Sequence, residues 1–357
     1  MCLYPQRMVN KKYTVTEKNG GCVPLLPDDR IAYIEVPCGN CYECRSKKGR
    51  EWKVRLYEEI KEHTYNYFVT LTFEPEKLAE LLKQSNRGDE DNVVAALAIR
   101  RFLERYRKKY KVSLKHWLIS ELGHQGTERL HLHGLLMTDT PLEFGEEIQR
   151  LKDGSMRKWP LWGYGNIFVG DYVNQKTVNY VIKYTTKIDT DHKGFFGQIF
   201  CSPGIGKQWL ESREAETYHY RPRESKDYYM CENGQKIALP TYYKNKLYNE
   251  KERENIWRDS LDKEQQVIFG TTYDLKNART FNAIPNILSN ARDANKKLDF
   301  GDDSVEWRRR KYAITQRMLQ KRAREKELLR MMREGIEISE KYKKIKKISL
   351  NSWLDEK

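Results

Sequence analysis

The 357-residue chain has 66 lysine and arginine residues against 51 aspartate and glutamate residues, and its net charge of +15 indicates a polyanionic partner. A hydrophobic content of 39%, with 23 tyrosines and 8 tryptophans, argues against simple disorder, and no apolar run is long enough to span a membrane. The first residues lack the apolar core of a secretory signal, and the cysteine count of seven is odd. We therefore expect free or metal-bound cysteines in a reducing cytoplasm rather than a disulfide framework.

Three stretches of the chain differ in composition. Residues 1–63 hold a group of cysteines and then an amphipathic helix at 45–62, in which Trp52, Leu56 and Ile60 have helical spacing. Residues 64–245 predict a mixed core of strands and helices. Residues 246–357 predict a charged, basic and mostly helical region, whose segment 307–347 is typical of long surface helices or a partly disordered arm.

Strand and helix patterns alternate within the core. Strands are indicated by β-branched and aromatic runs, and helices by apolar residues at a spacing of three and four. In chain order the predicted elements are a strand at 67–73, a helix at 93–110, a hairpin of strands at 115–122 and 129–137, a strand at 164–172 and a helix at 177–187. The predicted fold class is α+β, with a central antiparallel sheet and flanking helices.

Two histidines alternate with leucines in the predicted strand at 129–137. His131 and His133 share one face of that strand, so their imidazoles can bind one divalent metal ion. Glu121 ends the preceding strand and is the predicted third ligand, which favours Mg²⁺ or Mn²⁺. The alternatives are two half-buried histidines without a ligand, and His124 in the connecting loop as a competing ligand.

A duplicated Tyr-x-x-Lys motif lies in the predicted helix at 177–187. Tyr180 and Tyr184 are four residues apart and therefore neighbours on one helix face, and Lys183 and Lys187 follow each tyrosine by three residues. A tyrosine nucleophile needs activation by a metal ion or a cation, which these lysines can supply. The alternative is that the tyrosines only pack or decorate the surface.

The cysteines near the start of the chain form a CxxCxxC pattern. Cys38, Cys41 and Cys44 need a fourth ligand for a closed tetrahedral Zn²⁺ site, and Cys2 or Cys22 is available. We take Cys2 as the fourth ligand of a structural zinc site. Because the three close cysteines lie at a predicted helix start, their convergence is expected to be limited. Free cysteines and an iron–sulfur cluster are the alternatives.

Basic residues interleaved with aromatic residues are typical of a nucleic-acid surface. The turn at 202–206 with Lys207 offers backbone amides and a charge that can cradle a phosphate, although an ordinary Pro-Gly turn explains it equally well. A solvated helix face is the alternative for the basic helix end. The predicted DNA-binding residues are Arg101, Arg105, Lys108, Lys109 and Lys207.

Three segments in this order, 68–73, 129–137 and 180–187, resemble the HUH endonuclease superfamily, which contains rolling-circle replication initiators, relaxases and related transposases. More narrowly, the duplicated tyrosine motif, residues 202–206, the start MCLYP and the block at 38–45 resemble replication initiation proteins of gokushovirus-type microviruses. The resemblance covers about residues 1–245, and it implies an HUH-like endonuclease core at 64–245.

The resemblance implies a mechanism for the two motifs. A divalent metal on His131 and His133 polarises the scissile phosphate, and superfamily members vary at the position taken here by Glu121. One of Tyr180 and Tyr184 attacks, which leaves a 5′-phosphotyrosine and a free 3′-hydroxyl for the host polymerase. The second tyrosine then attacks the regenerated origin and releases a unit-length circle.

The expected function is therefore origin-specific nicking and rejoining of single-stranded DNA in the host bacterial cytoplasm. Since the chain contains no GxxxxGK[ST] motif, a host helicase is expected to unwind the DNA. The alternatives are a relaxase or transposase of the same superfamily, a non-enzymatic single-stranded nucleic-acid-binding protein, and a zinc-stabilised structural protein. The last would leave the histidine and tyrosine motifs to coincidence.

Overall fold

A computed structural model describes residues 1–84, 91–123, 129–187, 189, 195, 197–298, 300–302 and 304. Met1–Phe300 form one compact unit. The predicted arm at 307–347 and the alternative ligand His124 lie outside the described residues. Among the described helices, none combines the length and apolar character needed to cross a bilayer.

In chain order the strands and helices are β1 (Gln6–Val9), β2 (Tyr33–Val36), α1 (Tyr42–Glu62), β3 (Tyr65–Thr72), α2 (Pro75–Gln84), α3 (Asp91–Tyr110), β4 (Lys115–Leu122), β5 (Leu130–Thr138), β6 (Glu146–Leu151), β7 (Gly154–Lys158), β8 (Ile167–Gly170), α4 (Gln175–Thr186), β9 (Ile199–Cys201), β10 (Tyr228–Met230), β11 (Lys236–Ala238), α5 (Thr241–Leu247), α6 (Glu250–Asp262), β12 (Gln265–Ile268), β13 (Thr271–Asp274) and α7 (Ala278–Lys297).

Within the described residues, β3 to β9 form one seven-stranded sheet in the order β6-β7-β8-β3-β5-β4-β9. Every neighbouring pair in this sheet is antiparallel, including the hairpin β4–β5. The expected α+β class, with a central antiparallel sheet and flanking helices, is confirmed. Strand β5 lies between β3 and β4, so its residues are bonded on both edges.

The two faces of the sheet bury two separate cores, because alternate residues of a strand point to opposite faces. Leu132 and Leu136 of β5 pack with residues of α3 such as Phe102. Leu135 and Met137 face the other way and pack with α1 and α4. The odd-numbered positions of β5, which include both histidines, therefore face α1 and α4.

Helix α4 forms in spite of its β-branched residues, because its first turn is capped and one face is buried. The Asn174 side chain accepts from the backbone N–H groups of Lys176 and Thr177, at 2.9 and 3.1 Å. Val178 and Val181 are fully buried against α1 and the sheet. At the crossing of the two helices, a Cβ on Gly49 would lie only 2.8 Å from Thr185 Oγ1, so glycine permits the close approach.

Two local features differ from the sequence-based expectation. The strand predicted at 164–172 is shorter, because Tyr164 is buried in the α3-side core and Gly165 lies against the backbone of Thr72; only β8 (Ile167–Gly170) pairs in the sheet. The region predicted as mostly helical from 246 contains α6 and α7 but also the hairpin β12–β13. Sequence analysis missed this hairpin because the flanking residues are highly charged.

Candidate metal centre and tyrosine pair

Three side chains converge where β3, β4 and β5 meet. The register sets His131 opposite Glu121 of β4 and Thr72 of β3. The Nε2 atoms of His131 and His133 lie 3.1 and 2.8 Å from the same carboxylate oxygen of Glu121. The three donor atoms all lie within 4.8 Å of one another, so the predicted ligand set is brought together as one candidate metal site. The donor set of two imidazoles and one carboxylate fits a divalent cation.

Each histidine is oriented by its second ring nitrogen. His131 Nδ1 lies 3.1 Å from the carbonyl oxygen of Arg129, and His133 Nδ1 lies 2.9 Å from Thr70 Oγ1. Such partners fix the ring and leave the lone pair of Nε2 free for a metal ion. Sequence analysis did not single out Thr70. Its signal was the first position of the TLT run in β3, which faces the same side as the histidines.

The charge of Glu121 is strongly stabilised. Burial alone would raise the pKa of its carboxyl, but hydrogen bonds with His131, His133 and Lys187 outweigh burial and hold the pKa far below its ordinary value. Burial lowers the pKa of His133. A carboxylate and an uncharged imidazole are the protonation states that bind metal ions.

The two tyrosines of α4 lie beside this site. The Tyr184 ring stacks on His133, with ring centroids 4.4 Å apart and planes 11° apart. The hydroxyls of Tyr180 and Tyr184 are 2.9 Å apart and hydrogen-bonded. Tyr180 is 45% exposed and meets Phe68 edge-on, whereas Tyr184 is half-buried. Burial and the bond with Tyr180 raise the pKa of Tyr184.

The two lysines of the motif have different contacts. Lys183 Nζ lies 5.7 Å from the Tyr180 ring centroid, and Lys187 Nζ lies 5.9 Å from that of Tyr184. Lys187 also forms an ion pair with Glu121. The four motif residues are therefore grouped at one end of the α4 face of the sheet, with Lys187 in direct contact with the candidate metal site.

The basic residues predicted on α3 are not grouped with this site. Arg105 donates to the carbonyl oxygens of Leu161 and Trp162 at 2.8 and 2.6 Å, which gives its guanidinium a structural role that the sequence did not reveal. Lys109 lies 3.4 Å from Glu143 in the loop after β5. That loop follows Thr138, about 23 Å along the strand from His131. Arg101 bonds to Gln84, and Lys108 is exposed. DNA binding by these residues stays a prediction.

The turn at 202–206 has its amides directed into the protein. The Gly206 N–H donates to the buried carboxylate of Glu59, and the Lys207 N–H donates to the Gly204 carbonyl at 3.0 Å. Gly206 has φ +71°, and a Cβ there would approach the backbone of Arg55. These contacts are those of an ordinary turn. The Lys207 side chain is exposed, and its DNA contact stays a prediction.

The cysteines that were predicted to bind zinc also converge. Cys2, Cys38, Cys41 and Cys44 have all their sulfur atoms within 4.8 Å of one another, whereas Cys22 is exposed and outside the group. The limited convergence expected at a helix start is not observed. Cys38 lies in the loop before α1, where Gly39 adopts φ +80°, and Cys41 is the residue just before the first helical turn.

Comparison with known proteins bears on the same segment. Residues 66–189 match the family model of the replication-associated protein ORF2. The chain is also 28% identical over 234 residues to the replication-associated protein VP4 of Bdellovibrio phage phiMH2K, covering 60% of this chain and 67% of that protein. The chain is similar to phage replication-associated proteins.

The resemblance that the motifs indicated is thus confirmed. The family match runs from β3 past α4, so it contains the three candidate metal ligands and both tyrosines. No solved structure matches the chain significantly. The geometry of the site therefore comes from this structure alone.

Proposed function

We propose that the protein is a replication initiation endonuclease that nicks single-stranded origin DNA and rejoins it, driving rolling-circle replication of a small phage genome. The observation that carries the proposal is the position of the tyrosine pair. One ring stacks on the candidate ligand His133, and the two hydroxyls lie 2.9 Å apart. Similarity to phage replication-associated proteins supports the same function.

Either phenolic oxygen is placed to attack a phosphodiester held beside His131 and His133. The new bond joins the tyrosine oxygen to phosphorus, and the bond from phosphorus to the 3′ oxygen breaks. The phenolic proton is lost and the departing 3′ oxygen gains one, so the step is neutral in protons. Its products are a 5′-phosphotyrosine and a free 3′-hydroxyl, which a host polymerase can extend.

Glu121, His131 and His133 would hold Mg²⁺ or Mn²⁺. When such an ion is bound, it supplies Lewis-acid polarisation of the scissile phosphate. The protein itself orients both imidazoles through Thr70 and the Arg129 carbonyl. This order before DNA binding reduces the rearrangement needed in the reaction.

The lysines place positive charge beside both nucleophiles. Lys183 and Lys187 lie within 6 Å of the ring centroids of Tyr180 and Tyr184. A cation at this distance favours the phenolate and offsets the charge that develops on the phosphate. We assign the lysines this electrostatic role, and we assign the tyrosines alternating attack in successive rounds.

The remaining parts of the process fall to partners. We propose that a host helicase unwinds the DNA, that a host polymerase extends the 3′-hydroxyl, and that the protein acts in the host bacterial cytoplasm. Arg101, Lys108, Lys109 and Lys207 are proposed to contact DNA away from the chemistry, since exposed cations bind phosphates without sequence preference.

A covalent-adduct assay tests the proposal. The full chain is mixed with single-stranded fragments of its own replicon in Mg²⁺, Mn²⁺ or EDTA and resolved on denaturing gels. A label at the DNA 3′ end should move with the protein, and a 5′ label should move with the released fragment. Adduct should vanish in EDTA, in His131→Ala and in the double variant Tyr180→Phe/Tyr184→Phe.

The matched control is Tyr172→Phe, because Tyr172 is a 62% exposed tyrosine outside the duplicated motif. It should form adduct like the wild type. If no fragment gives an adduct while salt-sensitive binding persists, the endonuclease proposal fails and a non-enzymatic single-stranded DNA-binding protein is the better description.

A further inference from the structure

The four-cysteine cluster lies far in sequence from the tyrosine motif and has no part in the proposed nicking. Cys38 and Cys44 have their sulfur atoms 3.9 Å apart, and those of Cys41 and Cys2 are 4.0 Å apart. Zinc–sulfur bonds of about 2.3 Å in a tetrahedron place the sulfurs about 3.8 Å apart. The observed spacing matches a single tetrahedral ion.

The same distances argue against the other uses of cysteine. A disulfide needs sulfurs about 2.05 Å apart, and the seven cysteines, all within the described ranges, form none. An iron–sulfur cluster of several irons would hold the thiolates further apart, because each sulfur binds a different iron. One ion bound by four sulfurs is the simplest occupant.

The surroundings suit a buried thiolate site. The backbone N–H groups of Cys38 and Cys41 donate to the sulfurs of Cys2 and Cys38, at 3.2 and 3.3 Å. Cys44 lies in the first turn of α1, where the helix dipole favours negative charge. The buried residues Leu3, Ile268 and Ala291 belong to the same core cluster and exclude water from it.

We propose that Cys2, Cys38, Cys41 and Cys44 bind one structural Zn²⁺. Four thiolates complete the coordination shell, so no position is left for water or substrate, which is the pattern of a structural rather than a catalytic zinc site. Each thiol gives its proton to the solvent on binding, and the binding free energy adds to the stability of the fold.

The zinc joins three distant parts of the chain. Next to the cluster, Arg292 Nε of α7 donates to the Leu3 carbonyl at 3.0 Å, and the Tyr42 N–H at the start of α1 donates to Asn295 Oδ1 at 2.9 Å. The first residues, α1 and α7 therefore meet at the metal. Since α1 also packs on the tyrosine helix through Gly49, the site supports the scaffold behind the tyrosine pair.

Metal analysis of the purified full chain tests this inference. Elemental mass spectrometry should find about one zinc per wild-type chain, and less than about a tenth of that in Cys41→Ser and Cys44→Ser. Cys22→Ser is the matched control, because Cys22 is exposed and outside the cluster, and it should keep full zinc. His131→Ala/His133→Ala should also keep zinc, which separates this site from the candidate catalytic site.

Two measurements keep the inference testable if the cluster variants do not fold. Wild-type protein reconstituted with Co²⁺ should show the visible absorption of tetrahedral thiolate-bound cobalt. Chelation of zinc from the wild type should make the N-terminal residues and α7 sensitive to limited proteolysis. Wild-type protein that holds iron, or that holds no zinc and gives no cobalt–thiolate absorption, would overturn the proposal.

Discussion

The ring of Tyr184 lies flat on the imidazole of His133, 4.4 Å between centroids, so the helix of the proposed nucleophiles and the strand of the candidate metal ligands are in direct contact. This contact also distinguishes the two tyrosines. Tyr184 is held against the histidine, whereas Tyr180 is 45% exposed and accessible to a DNA strand. The duplicated motif is therefore symmetric in sequence but not in structure.

We expect Tyr180 to make the first attack, because an incoming strand reaches its hydroxyl without displacing a stacked ring. Tyr180→Phe should slow the first formation of adduct by about tenfold or more, and Tyr184→Phe by less. Rapid-quench measurement with one labelled origin strand checks this order. A larger loss with Tyr184→Phe would assign the first attack to the stacked tyrosine instead.

Thr70 is expected to position His133 for metal binding. Thr70→Val keeps the shape of the side chain but removes the partner of Nδ1, so Mn²⁺ affinity measured by calorimetry should fall about tenfold. Thr70→Ser should restore it. Thr72→Val is the matched control, because the Thr72 hydroxyl donates to the Asn166 carbonyl and not to a histidine. Equal losses in both valine variants would remove the positioning role from Thr70.

The contact between α1 and α4 should tolerate no added methyl group. In Gly49→Ala the new Cβ would meet Thr185 Oγ1 at 2.8 Å and Ile182 at 3.2 Å. We expect a loss of about 1–3 kcal/mol in the free energy of unfolding in urea, and a lower adduct yield because α4 is displaced. Glu62→Ala, at an exposed position of the same helix, should change neither quantity. Unchanged stability in Gly49→Ala would mean that the helices separate without cost.

Local patterns predicted much of this site, because its main residues lie on single elements. Alternation in β5 placed His131 and His133 on one face, and helical spacing placed Tyr180 beside Tyr184. The partners that depend on contacts between distant elements were missed. Thr70 required the register of β3 against β5, and the inward turn of Arg105 required the position of the loop that contains Leu161.

The choice between candidate ligands illustrates the same limit. The CxxCxxC pattern fixed three cysteines, but sequence could not choose Cys2 over Cys22. That choice depends on the packing of Leu3 with Ile268, which are separated by most of the described chain. Sequence spacing thus predicts ligands within one segment, and the tertiary fold decides which distant residue completes the set.

A pair of carboxylates around His63 should make stability depend on pH. The hydrogen bond with Glu59 raises the pKa of His63, with a further contribution from Asp139, and burial opposes both. The fold therefore favours the protonated ring. Its contribution is complete below the ordinary pKa of about 6.5 and is lost as the pH rises through the raised folded value. His63→Gln should cost more stability at about pH 5.5 than at about pH 8.5 in urea unfolding.

His116 provides the control of opposite sign. Burial lowers the pKa of His116, which bonds through Nδ1 to Ser202 and the Leu114 carbonyl, so the fold favours its neutral form. As the pH falls, the unfolded chain takes up a proton that the folded chain does not, and the wild type loses stability. The cost of His116→Asn should therefore rise with pH while that of His63→Gln falls. Parallel trends in the two variants would contradict the assignment of either histidine.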